Sequence, residues 1–382
     1  MKTNTKTLLW LIHEGHMSGA NLALMEHFEM LLAMQFKISV ISPGEGSFTA
    51  HLKQHDIPVT IVPFYSWTRK TNEGFFIKGW LKRMFRNTYA CLKMVEIAKS
   101  VDAVCTNTIC TQLGLVTAML CQKKHFLFVH EFGEEDHGFK FMINTKRAYK
   151  WFYHYSEKVV LNSNAVKQKW VHLVRHSDKL ELLYNCVIPK HDISSQKSHQ
   201  KPASPKFLML GQISEAKGHS FAIKAISALA KKHRTIEMDI IGAKVSEDYY
   251  EELQTQIAAC NANVTLKQPV ANPFLIFKDY TALLMCSRQE AFGRVTVEAL
   301  MSGLPVIGIK SGGTTEIVDH KVNGFLVNLD DVEDLKDGIE KIICMDQDTY
   351  TQMSLNAMQI TNKFNSEVSK KQLITIFESP IS

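Results

Sequence analysis

Residues 290–316 read Glu290-Ala-Phe-Gly-Arg-Val-Thr-Val-Glu298-Ala-Leu-Met-Ser-Gly-Leu-Pro-Val-Ile-Gly-Ile-Lys-Ser-Gly-Gly-Thr-Thr-Glu316. The run before it, Ala282-Leu-Leu-Met-Cys286, is apolar without interruption, the pattern of a strand covered on both faces. Glu290 therefore falls just beyond a strand's carboxyl end, the ligand edge of an open α/β sheet. Gly293 permits a close turn there. Val295, Val297, Ala299 and Leu300 then read as a helix that stops at Gly303, and Pro305 prevents its continuation.

The unit repeats at once. Val306 to Ile309 is a second buried strand, Ser311-Gly312-Gly313 a second glycine loop, and Thr314 or Thr315 can cap a helix that Glu316 enters. Glu298 lies near the first turns of the first helix, so both framing acids can point at one crevice, where free helix N–H groups face an anion. A carboxylate for sugar hydroxyls, a second for ribose hydroxyls and helix ends for phosphate describe a nucleotide-sugar pocket.

The run Glu-x7-Glu, Glu-Ala-Leu-Met-Ser-Gly-Leu-Pro-Val-Ile, Gly-Gly-Thr-Thr-Glu-Ile-Val and Asn323-Gly324-Phe-Leu-Val327 resembles the donor domain of retaining GT-B glycosyltransferases of the family 4 (group 1) type. The motifs are similar to those of bacterial capsule, exopolysaccharide and O-antigen transferases. The resemblance implies an α/β fold of two Rossmann-like doubly wound domains facing each other across a cleft. It implies retaining transfer of a hexose or N-acetylhexosamine from a nucleotide diphosphate sugar, with uridine the expected base, to a hydroxyl of a lipid-linked or growing glycan. No cofactor and no metal ion are expected. Glu290 is assigned to donor-sugar hydroxyls, Glu298 to the ribose, and Lys217 with the loops at Gly293 and Gly313 to the diphosphate; Phe292 and Gly312 belong to the same donor-binding set.

At 382 residues the chain is too long for one core of ordinary size, and 45% hydrophobic with 21% charged residues is a soluble globular composition. No apolar run approaches the length of about 18 residues that a spanning helix needs. Lys2 and Lys6 with the short run Leu8 to Ile12 make no signal peptide, so the expected location is the cytoplasm, peripheral at the inner face of the membrane. Eight cysteines without a C-x2-C pair indicate free thiols and neither zinc nor a disulfide framework.

Strand and helix patterns alternate through the first half. Thr7 to Ile12 is the first strand, followed by His13-Glu-Gly-His-Met-Ser-Gly19 and a helix running to Ala33. The loop lacks G-x-G-x-x-G, so no dinucleotide fingerprint is present. In the resembled family the matching loop, usually Gly-Gly-Ala, lies by the donor phosphates or the acceptor; Ser18 replaces its first glycine and Gly19 keeps the second. Phe126 to Val129 delivers His130 to the ligand edge, where imidazole can bond a sugar hydroxyl or steady developing charge; the resemblance puts this residue against the donor sugar across the cleft. Glu134, Glu135, Asp136 and His137 read as a solvated loop.

Between Ser66 and Ser100 eight Lys or Arg stand against two Glu, a net +6 equal to that of the whole chain. Ile77, Trp80, Leu81, Met84 and Phe85 recur at helical spacing beside Lys78, Lys82, Arg83 and Arg86. This is the pattern of a basic amphipathic helix on an anionic membrane surface, and equally of a helix that packs one face and solvates the other. Nucleic acid is not an expected partner, because the remainder is electrically balanced.

Domains are expected at 1–190 and 207–349, with a polar linker at 191–206 and a terminal helical stretch, 350–382, returning to the first domain. Phe207 to Leu210 opens the second sheet, and Gly211-Gln212-Ile-Ser-Glu-Ala-Lys217-Gly218 follows it. The family loop is Gly-Arg-x4-Lys-Gly. Lys217 matches, but Gln212 exchanges a fixed cation for a neutral amide, and Arg294 is the candidate replacement. Two rival readings stand beside the transferase: an epimerase or phosphorylase on the same architecture, and a non-catalytic nucleotide-sugar-binding partner.

Overall fold

The computed structural model describes residues 6–70, 77–189 and 198–378. The chain divides into two compact units, Met1–Cys186 with Ser366–Ser382, and Val187–Asn365.

Unit 1 holds β1 (Thr7–Leu11), β2 (Lys37–Ser42), β3 (Val59–Ile61), β4 (Thr68–Lys70), β5 (Ala103–Thr106), β6 (Lys124–Val129), β7 (Phe139–Phe141), β8 (Lys158–Leu161) and β9 (Leu180–Leu182). Seven of these form one parallel sheet in the order β3-β2-β1-β5-β6-β8-β9, while β4 and β7 pair antiparallel. The strands read as unbroken apolar runs because helices cover both faces: Leu8 to Leu11 and Phe126 to Val129 are all buried. Trp10 marks the centre, its ring 5.2 Å from Phe28 on the Gly19–Ala33 helix and 4.7 Å from Phe128. Strand order reverses between β1 and β5, so the loops after these strands and after β6 meet at a switch point.

Unit 2 repeats the plan with β10 (Lys206–Leu210), β11 (Glu237–Ile241), β12 (Asn263–Lys267), β13 (Ala282–Met285), β14 (Val306–Ile309) and β15 (Gly324–Val327), parallel in the order β12-β11-β10-β13-β14-β15. Its core gathers Phe207, Ile226, Ile240, Leu284, Ile307 and Ile339 from the sheet and the helices His219–Leu229 and Val332–Cys344. Asp239 lies inside: it accepts from Tyr280 Oη at 2.7 Å and Lys267 Nζ at 2.8 Å, with Lys206 Nζ at 3.2 Å, which satisfies a carboxylate that would otherwise be costly to bury. The pair of sheets is the GT-B architecture expected from the sequence.

The chain's tail differs from the expected continuous stretch over 350–382. Gln347–Met358 is helical, Gln359–Asn362 tightens to a 3₁₀ turn, and a separate helix runs Ser366–Glu378. The break has a physical cause: Phe364 is fully buried against Phe292, ring centroids 5.3 Å apart, so the chain must turn inward before leaving unit 2. Only the last helix belongs to unit 1, where Phe377 packs 5.7 Å from Phe36 and 4.8 Å from Phe126. Of the expected linker 191–206, residues 191–197 lie outside the described residues. The rest is packed: His199 is buried, its N–H donating to Ser354 Oγ at 2.8 Å, and Lys201 Nζ donates to the carbonyls of Ile343 and Met345.

Among the described residues no helix is long and apolar enough to cross a membrane. All eight cysteines are free; burial pushes the Cys286 thiol up to about 12.

Candidate active site

The switch point of unit 2 is built by three loops pressed together at the carboxyl ends of β10, β13 and β14. A β-carbon on Gly218 would stand 2.2 Å from the carbonyl oxygen of Cys286, and the N–H of Arg288 donates to Ala216 O at 3.1 Å, fixing the first loop to the second. Gly312 locks the third. Its φ is +55°, and a β-carbon there would meet Glu290 O at 2.3 Å. Gly313 N–H donates to that same carbonyl at 2.7 Å, and Ser311 Oγ to Gln289 Oε1 at 2.8 Å. The backbone of Glu290 is thus held from both sides.

Its side chain is held as well. Lys217, closing the 3₁₀ turn Glu215–Lys217, brings Nζ to 2.8 Å from Glu290 Oε2, with the two side chains 34% and 17% exposed. Gly293 (φ +99°) starts the helix Arg294–Met301 with no side-chain cap; Thr296 N–H turns back to Gly293 O at 2.9 Å, and the positive end of the helix dipole favours an anion there. On that helix Arg294 Nε donates to Glu298 Oε1 at 2.8 Å, one turn apart. Both members are largely buried. Thr296 Oγ1, also buried in the first turn, has no hydrogen-bond partner among the described residues.

Three expected features take a different form. Phe292 is 3% exposed and points its ring at Phe364, so its side chain is core and only its backbone borders the loop. The second phosphate-facing helix is a single turn, Thr314–Ile317, with no capping side chain, because its N-cap residue is Gly313; Thr314 lies inside the turn and Thr315 Oγ1 donates to Gly312 O at 2.9 Å instead. Arg294 does not add an unbalanced charge in place of the exposed Gln212, since Glu298 already accepts from it.

In unit 1, Gly19 opens a helix whose N-cap Ser18 accepts from Asn21 N–H at 3.4 Å. His130 follows β6 directly. Its Nε2 lies 2.8 Å from Asn107 Oδ1 and therefore carries the proton; Nδ1 is buried without a partner among the described residues. Burial, then the neighbouring His27 and His13, lowers its pKa to about 3, so the ring is neutral and Nδ1 is an acceptor. Glu131 braces the turn, accepting from Thr108 Oγ1 and the N–H groups of Ile109 and His130 at 2.8–2.9 Å. Asn107 and Glu131 were not singled out from sequence; each follows a buried strand at the ligand edge, which was the available signal. Glu134–His137 forms one helical turn, and Asp136 accepts from the N–H groups of Phe132 and Gly133.

The basic segment is a helix over Ile77–Ala98. The side chains of Lys78 and Trp80 lie outside the described residues; Lys82, Phe85 and Arg86 are exposed and Arg83 half-buried. Among the described residues, His233, Glu340 and Cys344 are a group close enough to hold a metal ion, but His233 precedes β11, at the sheet edge opposite the switch point, and Glu340 is paired with Lys232.

Residues 191–359 match the family model described as glycosyl transferases group 1. Among curated proteins, the chain is similar to a capsular polysaccharide biosynthesis glycosyltransferase, CapM, of Staphylococcus aureus, 24% identical over 44% of this chain and 45% of that one. The chain spans about half the length of the curated relatives it matches. Among solved structures, Anabaena Alr3699/HepE in complex with UDP and glucose aligns over 98% of this chain and 100% of that one, with TM-score 0.80 and 22% identity. A glycosyltransferase from Rickettsia africae aligns over 99% and 100%, with TM-score 0.79 and 19% identity.

Proposed function

With residues 191–359 those of a group 1 glycosyl transferase and both units folded as GT-B, we propose that the chain transfers a sugar from a nucleotide diphosphate sugar to a hydroxyl of a lipid-linked or growing glycan, with retention at the anomeric carbon. The observation that carries this reading is the Lys217–Glu290 pair, clamped by glycine-tight loops at the switch point of unit 2. UDP in the Anabaena structure supports uridine as the base.

The chemistry follows from what each group can stabilise. Bond breaking at the anomeric carbon leaves positive charge on the sugar and negative charge on the departing diphosphate. Lys217 and the positive end of the helix that starts at Gly293 face the negative charge; Glu290 accepts from donor-sugar hydroxyls and Glu298 from the ribose. As built, each cation is already balanced by a carboxylate, so donor binding exchanges partners: diphosphate takes Lys217, and the freed Glu290 takes a sugar hydroxyl. Neutral His130 offers Nδ1 to a sugar hydroxyl on unit 1. The leaving phosphate takes the acceptor's proton, and no divalent ion is required in this scheme. The acceptor belongs to cell-surface polysaccharide synthesis, and the helix bearing Lys82, Arg83, Phe85 and Arg86 lies on the anionic inner face of the membrane.

A panel of nucleotide sugars screened for protection against thermal unfolding tests the reading, because a ligand bound by the folded state alone raises stability in proportion to log affinity. The exposed Gln212 favours one second reading, a nucleotide-sugar binder without turnover. Product formation with a protecting donor distinguishes the two.

A further inference from the structure

The Ile77–Ala98 helix changes role along its length. Ala90, Cys91, Met94 and Ala98 enter the core of unit 1, whereas Leu81, Phe85, Tyr89 and Leu92 follow one another at spacings of four, four and three and stand on the surface, Phe85 at 70% exposure and Leu92 at 62%. Contiguous exposed apolar side chains of this size mark a contact surface. Between this helix and Leu113–Leu120 opens a groove of about 380 Å³, walled by Trp67, Met84, Cys91, Leu92, Val116 and Leu120. The two helices supply most of its walls, and Trp67 and Met142, which flank the short β4–β7 pair, complete them.

Cations stand at the groove. Arg83 lines it, and the guanidinium carbons of Arg83 and Arg86 lie 5.6 and 5.3 Å from the ring centroid of Tyr65. Tyr65 is itself fixed: Asn87 Oδ1 accepts from its N–H at 2.8 Å, and Asn87 Nδ2 donates to its carbonyl at 2.9 Å. Guanidinium planes resting on an aromatic face keep their N–H edges for an anion. Lys82 and Lys93 share the helix, and no acid occurs from Ile77 to Val95.

We propose that this groove takes the hydrocarbon chain of an anionic lipid, with Arg83 and Arg86 over its phosphate and Leu81 and Phe85 set into the surrounding bilayer. The inference rests on the lipid-linked acceptor reading above and gives that acceptor's carrier a seat on unit 1.

The test uses the full chain. Flotation with vesicles of phosphatidylcholine alone, and of phosphatidylcholine with phosphatidylglycerol, reads bilayer binding; calorimetry with decyl phosphate against inorganic phosphate reads the groove. The proposal expects flotation on anionic vesicles only, decyl phosphate bound at least about tenfold more tightly than inorganic phosphate, and both signals reduced about tenfold by Leu92→Asp. Replacing Arg83 and Arg86 by Gln should weaken anionic-vesicle binding roughly fivefold per arginine. Leu275→Asp, at an exposed leucine of unit 2, should change neither, and unfolding midpoints check that each variant is folded. Equal binding to neutral vesicles, equal affinity for the two phosphates, or anionic binding that Leu92→Asp leaves intact each overturns the groove. Protection by UDP, measured on the same samples, separates the two readings: if it persists while lipid binding is absent, only this inference fails, and the reverse result removes only the donor site.

Discussion

Lys217 Nζ and Glu290 Oε2 stand 2.8 Å apart although 73 residues separate them, one on the loop after β10 and the other on the loop after β13. The pair joins the two strands between which sheet order reverses, where an open parallel sheet offers its crevice. Replacing Glu290 by Ala should lower transfer at least about 100-fold while the unfolding midpoint stays near wild type, because the side chain is partly solvated and its backbone anchors remain. Steady-state transfer rates beside calorimetric unfolding check this.

Lys217→Ala should weaken nucleotide-sugar binding about tenfold or more, the effect of removing a charged partner from a phosphate, and should weaken binding of the free nucleoside much less. Titration with a nucleoside diphosphate and with its nucleoside compares the two.

Gly312→Ala forces a side chain into the left-handed region and to 2.3 Å from the Glu290 carbonyl. The expected cost is about 1–3 kcal/mol of stability, with loss of donor binding as Glu290 is pushed off Lys217. Denaturant midpoints and donor titration measure both; Gly44→Ala, where the added carbon meets nothing within 4 Å, is the control.

Gln212→Arg restores a fixed cation to a loop whose lysine is already paired, and should tighten diphosphate binding several-fold, on the order of 1 kcal/mol. Arg294→Ala acts differently. It leaves the buried Glu298 without its 2.8 Å partner, so it should cost about 1–3 kcal/mol of stability in urea titration as well as donor affinity.

Acid should destabilise unit 1 through histidines buried in neutral form. His125 is 1% exposed, lies 2.8 Å from both Thr106 Oγ1 and Ser156 Oγ, and burial lowers its pKa to about 3. Its native value lies below the unfolded value of about 6.5, so the unfolded chain binds the proton first as pH falls. The contribution is complete above pH of about 6.5 and is lost between there and about 3, at up to about 1.4 kcal/mol per pH unit. Urea midpoints at pH 7 and pH 5 measure it, and His125→Gln should flatten the difference.

The two sheets and the ligand edge of unit 2 were legible because parallel strands buried on both faces leave unbroken apolar runs such as Ala282 to Met285, and the runs of β10, β13 and β14 are followed by glycine-bearing loops. What stayed hidden depends on partners distant in sequence. Phe292 reads as a loop residue until Phe364 is seen against it, and the polar segment from Gln359 to Asn365 reads as helix until the burial of Phe364 forces the turn; Asn365 Nδ2, donating to the carbonyls of Thr361 and Asn362, was the local sign of an ending. The pairing of Arg294 with Glu298 follows from i, i+4 spacing and was open to inference, yet their joint neutrality was not drawn from it. Likewise His199 and Lys201 look like linker until Ser354 and the carbonyls of Ile343 and Met345 claim them.

Hydrogen exchange with and without a protecting nucleotide sugar tests the site most directly. Slowed exchange concentrated in residues 211–218, 286–297 and 311–316, and abolished by Lys217→Ala, is the expected result. Saturating donor that protects other segments of unit 2 and leaves those three loops unchanged would contradict it.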